Sequence, residues 1–171
     1  KGILLIVDEV QTGIGRTGTR FAYEQTVLKP HIVSMAKGLG GGFPIGGILG
    51  VAELFNTFNA GTHGTTFGGN PLAVAVAQTV VDIVFEPSFL ANVQQMSAYF
   101  IEQLQTHLPS SFSVQGKGLM LGLYCGGEDV APVVSKLDEA GLLTVAAGPK
   151  VIRLLPPLTV SKEEIDEAVA I

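Results

Sequence analysis

Two residues that could do chemistry follow apolar runs in the first part of the sequence. Asp8 ends "ILLIVD", and Lys37 ends "HIVSMAK", after which four of the next five residues are glycine. A carboxylate can hold a cation, and a lysine that has been desolvated loses its proton more easily and then condenses with an aldehyde. Each residue also has a structural interpretation. Asp8 can accept backbone N–H groups of the following turn, and Lys37 can extend its stem over an apolar surface.

The elements around Asp8 and Lys37 predict that both lie at one edge of a sheet. "ILLIV" and "HIVSM" are short apolar runs, typical of strands that are covered on both faces of a parallel sheet. The two residues are 29 positions apart, about the length of a strand–helix–strand unit, and "TRFAYEQTVL" can form a short helix between them. A right-handed crossover would make the strands parallel. We therefore expect two buried side chains at the carboxyl edge, where open α/β sheets bind ligands.

A buried carboxylate and a buried amine at one edge match the cofactor pyridoxal phosphate (PLP). Its aldehyde would react with Lys37, and Asp8 would keep its ring nitrogen protonated, so that the ring acts as an electron sink. Lys37 would then be placed to move the proton of a substrate. "GIGRTG" at 13–18 offers a competing dinucleotide site, but such a site needs an acidic residue about 20 positions later, and the sequence has Lys37 there instead.

Composition narrows the class of protein. Only 15% of the residues are charged and 47% are hydrophobic, against about 25% charged in an average domain, which predicts extensive burial, including against surfaces outside this chain. A net charge of −5 without a basic cluster argues against nucleic acid as a partner. No apolar run approaches the roughly 18 residues of a membrane span. The single cysteine, Cys125, indicates a reducing compartment, so we expect a cytoplasmic protein. No spacing of potential ligands resembles a metal site.

Three local signals predict further elements of an α/β chain. "IGGILGVA" follows a loop of about eight residues, which is too short for a crossover, so this strand should be antiparallel to its neighbour. Asn70 and Pro71 have the residue types of an N-cap and a first helical residue, and they should begin a buried helix. Ser88 should cap a second helix, whose apolar residues recur at helical spacing.

The predicted elements change near Phe112, where short glycine-containing strands begin and a helix follows. We therefore predict residues 1–88 as the second half of a large ligand-binding domain, a linking helix over 88–108, and a small α+β C-terminal domain over 109–171. The chain opens almost directly on a strand and closes within a helical pattern. We expect it to be part of a longer protein, with the small domain incomplete at its end.

Four segments occur in the order found in class III PLP-dependent aminotransferases, which the sequence resembles over its whole length: "VDEVQTGIGRTG", "AKGLGGGFPIGG", "HGTTFGGNPLA" and "RLLPPL". The resemblance implies PLP fold type I, in which a large domain has a mostly parallel sheet with one antiparallel strand and a small domain follows. "GRTGTRFAYE" most resembles the members that move an amino group between N-acetylornithine and 2-oxoglutarate in arginine biosynthesis.

Other activities remain open within this resemblance. Aminotransferases of ornithine, 4-aminobutyrate and succinyl-diaminopimelate share the core, as does glutamate-semialdehyde aminomutase. A non-catalytic binding module that keeps fold type I is an alternative of another class.

The resemblance also implies roles for five residues. Asp8 would pair with the pyridine nitrogen, Lys37 would bind the aldehyde covalently, and Gln11 would approach the phenolic oxygen of the ring. Thr66 would bind the cofactor phosphate of the neighbouring subunit in a homodimer, although its residue type alone favours capping the turn before the next helix. Arg153 would lie near the substrate, where relatives use it on a carboxylate or as the partner of a mobile glutamate.

Other parts of the family site precede the aspartate: the loop that holds the phosphate, the aromatic residue stacked on the ring and another arginine for the substrate. None of them is in this sequence, and neither are the strands that complete the sheet. We therefore expect the 171-residue chain to be catalytically inactive and to leave strand edges and apolar faces uncovered. His31 stands where relatives usually have aspartate, at a strand start away from the chemistry.

Overall fold

A computed structural model of the chain describes residues 2–127 and 129–171. The chain divides into two compact units, of which the first ends at Leu90 and the second comprises Ala91–Ile171. Each unit contains its own sheet. A long helix, Pro87–His107, contributes its first residues to the first unit and the rest to the second.

The sheet of the first unit has three strands in the order β1-β2-β3: β1 (Ile6–Asp8), β2 (Ile32–Met35) and β3 (Gly47–Gly50). β1 and β2 are parallel, with Asp8 opposite Ser34, whereas β2 and β3 are antiparallel. Both predictions about strand direction are confirmed. The short loop between β2 and β3 cannot cross over the sheet, so β3 has to return beside β2.

Burial of these strands differs from the prediction. β2 buries Val33 and Met35 on one face, but Ile6 in β1 is 62% exposed and Leu49 in β3 is 50% exposed. In the described part of the chain β1 and β3 are the edge strands of this sheet, and the exposure of Ile6 and Leu49 shows that these side chains are not packed against other elements. The prediction of strands covered on both faces is therefore wrong for β1, and the expectation of uncovered apolar faces is confirmed.

Within the described residues, four helices precede the long helix in the first unit. Two are short 3-10 helices, Ala22–Gln25 and Lys37–Gly40, and two are α-helices, α1 (Ala52–Phe55) and α2 (Pro71–Val84). The helix predicted within "TRFAYEQTVL" is thus a single 3-10 turn, and in the sequence it follows β1 and precedes β2.

The start of α2 matches its prediction, but its burial does not. Asn70 Oδ1 accepts a hydrogen bond of 2.9 Å from Ala73 N, so Asn70 is the N-cap, and Pro71 is the first helical residue. α2 buries Ala73 and Val84, whereas Leu72 is 62% exposed. The apolar composition of α2 predicted a fully buried helix, and the described part of the chain covers only one stripe of it.

The second unit packs three helices with an antiparallel sheet in the order β4-β5-β7-β6. Its elements are α3 (Pro87–His107), β4 (Phe112–Lys117), β5 (Met120–Cys125), α4 (Ala131–Glu139), β6 (Val145–Ala146), β7 (Val151–Leu154) and α5 (Lys162–Ala170). The antiparallel pair of β4 and β5 accounts for the short glycine-containing strands of the sequence, and β6 pairs with β7 in the same way.

α3 supplies much of the core of the second unit at the predicted helical spacing. The buried apolar residues on its inner stripe are Val93, Met96, Phe100 and Leu104. α3 begins at Pro87, so the N-cap position is Glu86, and the prediction of Ser88 as the N-cap is wrong by two residues. Proline is favoured at the first helical position because it has no N–H to satisfy there.

Within the described residues no single helix has both the length and the apolar composition to cross a membrane; α2 and α3, a pair bent at the break between them, meet that test only when they are taken together. Core helices of water-soluble proteins meet the same criterion.

Candidate active site

Asp8 lies at the carboxyl end of β1, where its carboxylate is exposed and hydrogen-bonded. Its Oδ1 accepts from Val10 N at 2.9 Å and from Ser34 Oγ at 3.1 Å. The structural interpretation of Asp8, that it receives N–H groups of the next turn, is therefore confirmed. The prediction that it is buried is wrong, because β1 is an edge strand that ends in a turn open to solvent.

Lys37 begins the 3-10 helix that follows β2, and its side chain is exposed, so the prediction of a buried amine is also wrong. Its φ is 47°, a left-handed conformation that costs a residue other than glycine about 1–2 kcal/mol. Lys37 borders an open cavity of about 600 Å³, whose other lining residues are Gly38, Gly41, Gly42, Phe43, Pro44 and Ile45.

The glycine run after Lys37 has a conformational cause. Gly41 and Gly42 have φ values of 54° and 110°, which glycine adopts without the steric cost of a side chain. A Cβ on Gly40 would lie 2.9 Å from Ile45 Cγ2, closer than packed carbon atoms approach. The sequence "KGLGGG" therefore forms a tight turn directly after β2 rather than a flexible linker.

The loop that follows β1 packs against the start of the Lys37 helix. Ile14, in "GIGRTG", is 2% exposed and has a φ of 51°, which is unusual for a β-branched residue. A Cβ on Gly38 would lie 3.5 Å from Ile14 Cβ, an ordinary van der Waals distance. Ile14 therefore lies beside Gly38, and the loops after β1 and β2 are neighbours at one edge of the sheet.

"GIGRTG" does not open an α-helix, as a dinucleotide-binding motif does. Its residues form turns, and the next helix is the 3-10 turn Ala22–Gln25. Arg16 in this turn is partly enclosed, and burial lowers its pKa from the ordinary value. The motif has a structural role here, since its glycines at 15 and 18 take φ values of 79° and 88°.

Gln11 and Glu9 lie in the turn that follows Asp8, and their environments are opposite. Gln11 is exposed, as a residue that contacts a ligand at this edge would be. Glu9 is 1% exposed, and its carboxylate accepts hydrogen bonds from Thr12 Oγ1 and from Tyr23 N. Sequence reasoning missed Glu9, because an acidic residue beside another acidic residue normally indicates a solvated turn.

Thr66 lies in an exposed segment between α1 and α2. The hydroxyl that accepts from this turn belongs to its neighbour: Thr65 Oγ1 accepts from Gly68 N at 3.1 Å. Phe67, next to Thr66, is 80% exposed. The structural alternative considered for Thr66, a hydroxyl that caps this turn, is thus fulfilled by Thr65, and Thr66 itself is exposed to solvent.

Arg153 belongs to the second unit, in the middle of β7. It is half-buried and lies opposite Gly122 of β5 and Val145 of β6, while its neighbours Ile152 and Leu154 point to the buried face. Of the five predicted site residues, the structure places Asp8, Gln11 and Lys37 in adjoining loops at one sheet edge. Thr66 lies elsewhere in the same unit, and Arg153 is described within the other.

Comparison with known proteins gives the family. The model of the family "Aminotransferase class-III" matches residues 1–171. The chain is 54% identical to the acetylornithine aminotransferase of Bacillus subtilis (strain 168) over 99% of its length, and it spans 44% of that protein.

Two solved structures are similar to the chain in fold. N-acetylornithine aminotransferase from Stenotrophomonas maltophilia K279a has a TM-score of 0.87 and 37% identity, over 98% of this chain and 45% of that one. Ornithine aminotransferase from Toxoplasma gondii, reported with partial occupancy of PLP at its active site, has a TM-score of 0.89 and 34% identity, over 98% of this chain and 42% of that one. The fold and the sequence agree, and the chain belongs to the class III aminotransferase family.

Proposed function

We propose that the protein to which this chain belongs is a PLP-dependent aminotransferase that moves an amino group between N-acetylornithine and 2-oxoglutarate. The observation that carries the proposal is that the segments bearing Asp8 and Lys37 follow two paired parallel strands and lie next to each other at one sheet edge, where Ser34 Oγ donates to Asp8 Oδ1 and Ile14 lies beside Gly38. The 54% identity to an acetylornithine aminotransferase supports the choice of substrate.

The residues at this edge fit PLP. Both hydrogen bonds to the Asp8 carboxylate reach Oδ1, and among the described residues none is found at Oδ2, which can therefore face a protonated ring nitrogen. Lys37 presents an exposed amine beside an open cavity of about 600 Å³. When bound, PLP supplies an aldehyde for an amine and a ring that withdraws electrons from the α-carbon of the substrate.

We assign the following work to the residues of this chain. Lys37 Nζ would hold the cofactor through its aldehyde and, once the substrate amine has displaced it from that carbon, would move a proton at the α-carbon of the substrate. The Asp8 carboxylate stabilises the proton on the ring nitrogen, since an opposite charge within a few ångströms favours the charged form. Gln11 donates from its amide to the phenolic oxygen of the ring. Arg153 binds a carboxylate of the substrate, for which a planar guanidinium is well suited.

We further propose that the protein is a cytoplasmic homodimer of PLP fold type I, in which Thr66 serves the cofactor of the partner subunit. A charged fraction of 15% favours a large apolar interface of the obligate kind. Phe67 and Leu72, close to Thr66 in sequence, are 80% and 62% exposed and would be covered by such an interface. In this arrangement residues 109–171 form the small domain.

An amine panel tests the proposed reaction in the full-length protein. With 2-oxoglutarate as acceptor, N-acetylornithine should give a kcat/KM that exceeds that of ornithine, 4-aminobutyrate and N-succinyl-diaminopimelate by about tenfold or more. A preference for one of the other amines would overturn the substrate and keep the class. Absence of transamination with all of them, together with retained PLP binding, would favour the non-catalytic module.

A further inference from the structure

Glu9 is a buried carboxylate directly after the residue assigned to the cofactor ring. It is 1% exposed, whereas Asp8 beside it is exposed. Burial of a carboxylate costs several kcal/mol unless hydrogen bonds satisfy its oxygens. Glu9 therefore needs its hydrogen bonds in order to stay buried in this loop. None of the residue roles proposed above involves Glu9.

The hydrogen bonds of Glu9 connect three parts of the first unit. Its backbone N–H donates to Ser34 O in β2 at 2.9 Å, and its carbonyl accepts from Gly13 N at 3.0 Å. Its side chain accepts from Thr12 Oγ1 through Oε2 and from Tyr23 N through Oε1, the latter at 2.8 Å. Glu9 therefore ties the turn after β1 to β2 on one side and to the 3-10 helix Ala22–Gln25 on the other.

These bonds begin directly after Asp8 and enclose Gln11. Asp8 precedes Glu9 directly, and Gln11 lies between Glu9 and its side-chain partner Thr12. The turn is also closely packed, since a Cβ on Gly13 would lie 2.9 Å from Glu9 O. The peptide groups on both sides of Asp8 and Gln11 thus have little freedom to move while the Glu9 side chain keeps its two partners.

We propose that Glu9 is a positioning residue for the Asp8–Gln11 turn, and that its buried carboxylate fixes the direction in which Asp8 meets the ring nitrogen. The proposal rests on the proposed function. Glu9 acts through hydrogen-bond geometry rather than through its charge. A misplacement of about 1 Å in a reacting group can reduce the rate about 10²-fold, so loss of these bonds should reduce kcat far more than it changes KM.

Two substitutions of Glu9 in the full-length protein separate geometry from charge. Glu9→Gln can keep both bonds, because its amide oxygen accepts from Tyr23 N and its amide nitrogen donates to Thr12 Oγ1. Glu9→Gln should therefore retain most of kcat, whereas Glu9→Ala should lose about 10²-fold in kcat, with KM within about threefold. Both values are corrected for the fraction of folded protein.

Amide hydrogen exchange supplies a readout that needs no cofactor. Before PLP is added, Glu9→Ala should lose exchange protection at the amides of Gly13 and Tyr23, and Glu9→Gln should keep it. Ser97→Ala is a matched control, since Ser97 is 7% exposed and its Oγ donates to Gly118 O at 2.6 Å in the second unit. It should reduce stability with little change in kcat.

Three outcomes would overturn the role of Glu9. Glu9→Ala with kcat near that of the parent would make Glu9 a structural residue only, and a Glu9→Gln variant as impaired as Glu9→Ala would show that its charge acts directly. If Glu9→Ala does not fold, Thr12→Val removes one donor and should reduce kcat by about tenfold; an unchanged kcat would contradict the proposal. The proposed function fails on a different result, the persistence of a covalent bond between PLP and the protein after Lys37→Ala.

Discussion

Ser34 Oγ donates a hydrogen bond of 3.1 Å to Asp8 Oδ1 across the paired ends of β1 and β2. The two residues are 26 positions apart in the chain and directly opposite in the parallel register. Asp8 is therefore oriented by both neighbours of its strand end, by Ser34 from β2 and by Val10 N from its own turn. The orientation of its carboxylate is set before any ligand arrives.

Removal of the Ser34 hydroxyl should leave the Asp8 carboxylate less firmly oriented, without changing its charge. We expect Ser34→Ala in the full-length protein to lower kcat by about tenfold, since hydrogen bonds to charged groups contribute about 1.5–3 kcal/mol and a tenfold rate change corresponds to about 1.4 kcal/mol. Ser34→Thr keeps the hydroxyl and should retain most of the rate. Steady-state kinetics of both variants checks this, and equal rates for Ser34→Ala and the parent would contradict it.

At Ile14 the stabilities of the alanine and glycine variants should be in the opposite order from that found in a helix. Both substitutions remove a side chain that is 2% exposed, at a cost of about 2–5 kcal/mol. Its φ of 51° costs alanine about 1–2 kcal/mol and glycine almost nothing. Ile14→Gly should therefore be at least as stable as Ile14→Ala in urea unfolding.

Val93 supplies the comparison for Ile14. It is fully buried in α3, where glycine should be about 1 kcal/mol less stable than alanine. If Ile14→Gly is also less stable than Ile14→Ala by that amount, the left-handed conformation at Ile14 is not the native one.

Local signals predicted the directions of the strands and the start of α2. The short loop before β3 decided its antiparallel direction, and Asn70 with Pro71 marked the beginning of α2, because loop length and capping act over a few residues. The prediction that Asp8 and Lys37 lie at one edge of the sheet is also confirmed. It depended on the parallel direction of β1 and β2, because neighbouring parallel strands end on the same side of a sheet.

Burial and backbone conformation could not be predicted in the same way. The apolar runs of β1 and α2 indicate side chains that are more stable when buried. Whether they are buried depends on other elements that pack against them, and Ile6 in β1 is 62% exposed. The left-handed residues Ile14 and Lys37 carry no signal in their residue types, because β-branched and long side chains disfavour that conformation. The role of Glu9 depends on Tyr23, 14 positions away, which no short motif contains.

Mixed dimers test the proposed role of Thr66. Subunits with Lys37→Ala are combined with subunits with Thr66→Val, after unfolding and refolding together. If Thr66 serves the cofactor of the partner, each mixed dimer regains one site with both native groups, and activity should rise above that of either variant alone. If Thr66 serves its own chain, no site contains both groups, and the mixture should stay as inactive as its components.

The central claim is that Lys37 binds PLP and Asp8 makes the bound cofactor reactive, and absorbance with turnover in the full-length protein tests both. Lys37→Ala should abolish the covalent bond between PLP and the protein, measured by its near-visible absorbance band and by PLP that stays attached after borohydride reduction and denaturation, whereas Lys29→Ala, at an exposed lysine of the same unit, should keep it. Asp8→Asn should keep the absorbance and lose about 10²–10³-fold in kcat, because a neutral amide cannot hold the ring nitrogen protonated. Asp129→Asn is its control, since Asp129 Oδ1 accepts from Ala131 N in a similar turn. Near-normal turnover of Asp8→Asn, or PLP that stays attached to Lys37→Ala after reduction and denaturation, would contradict the account.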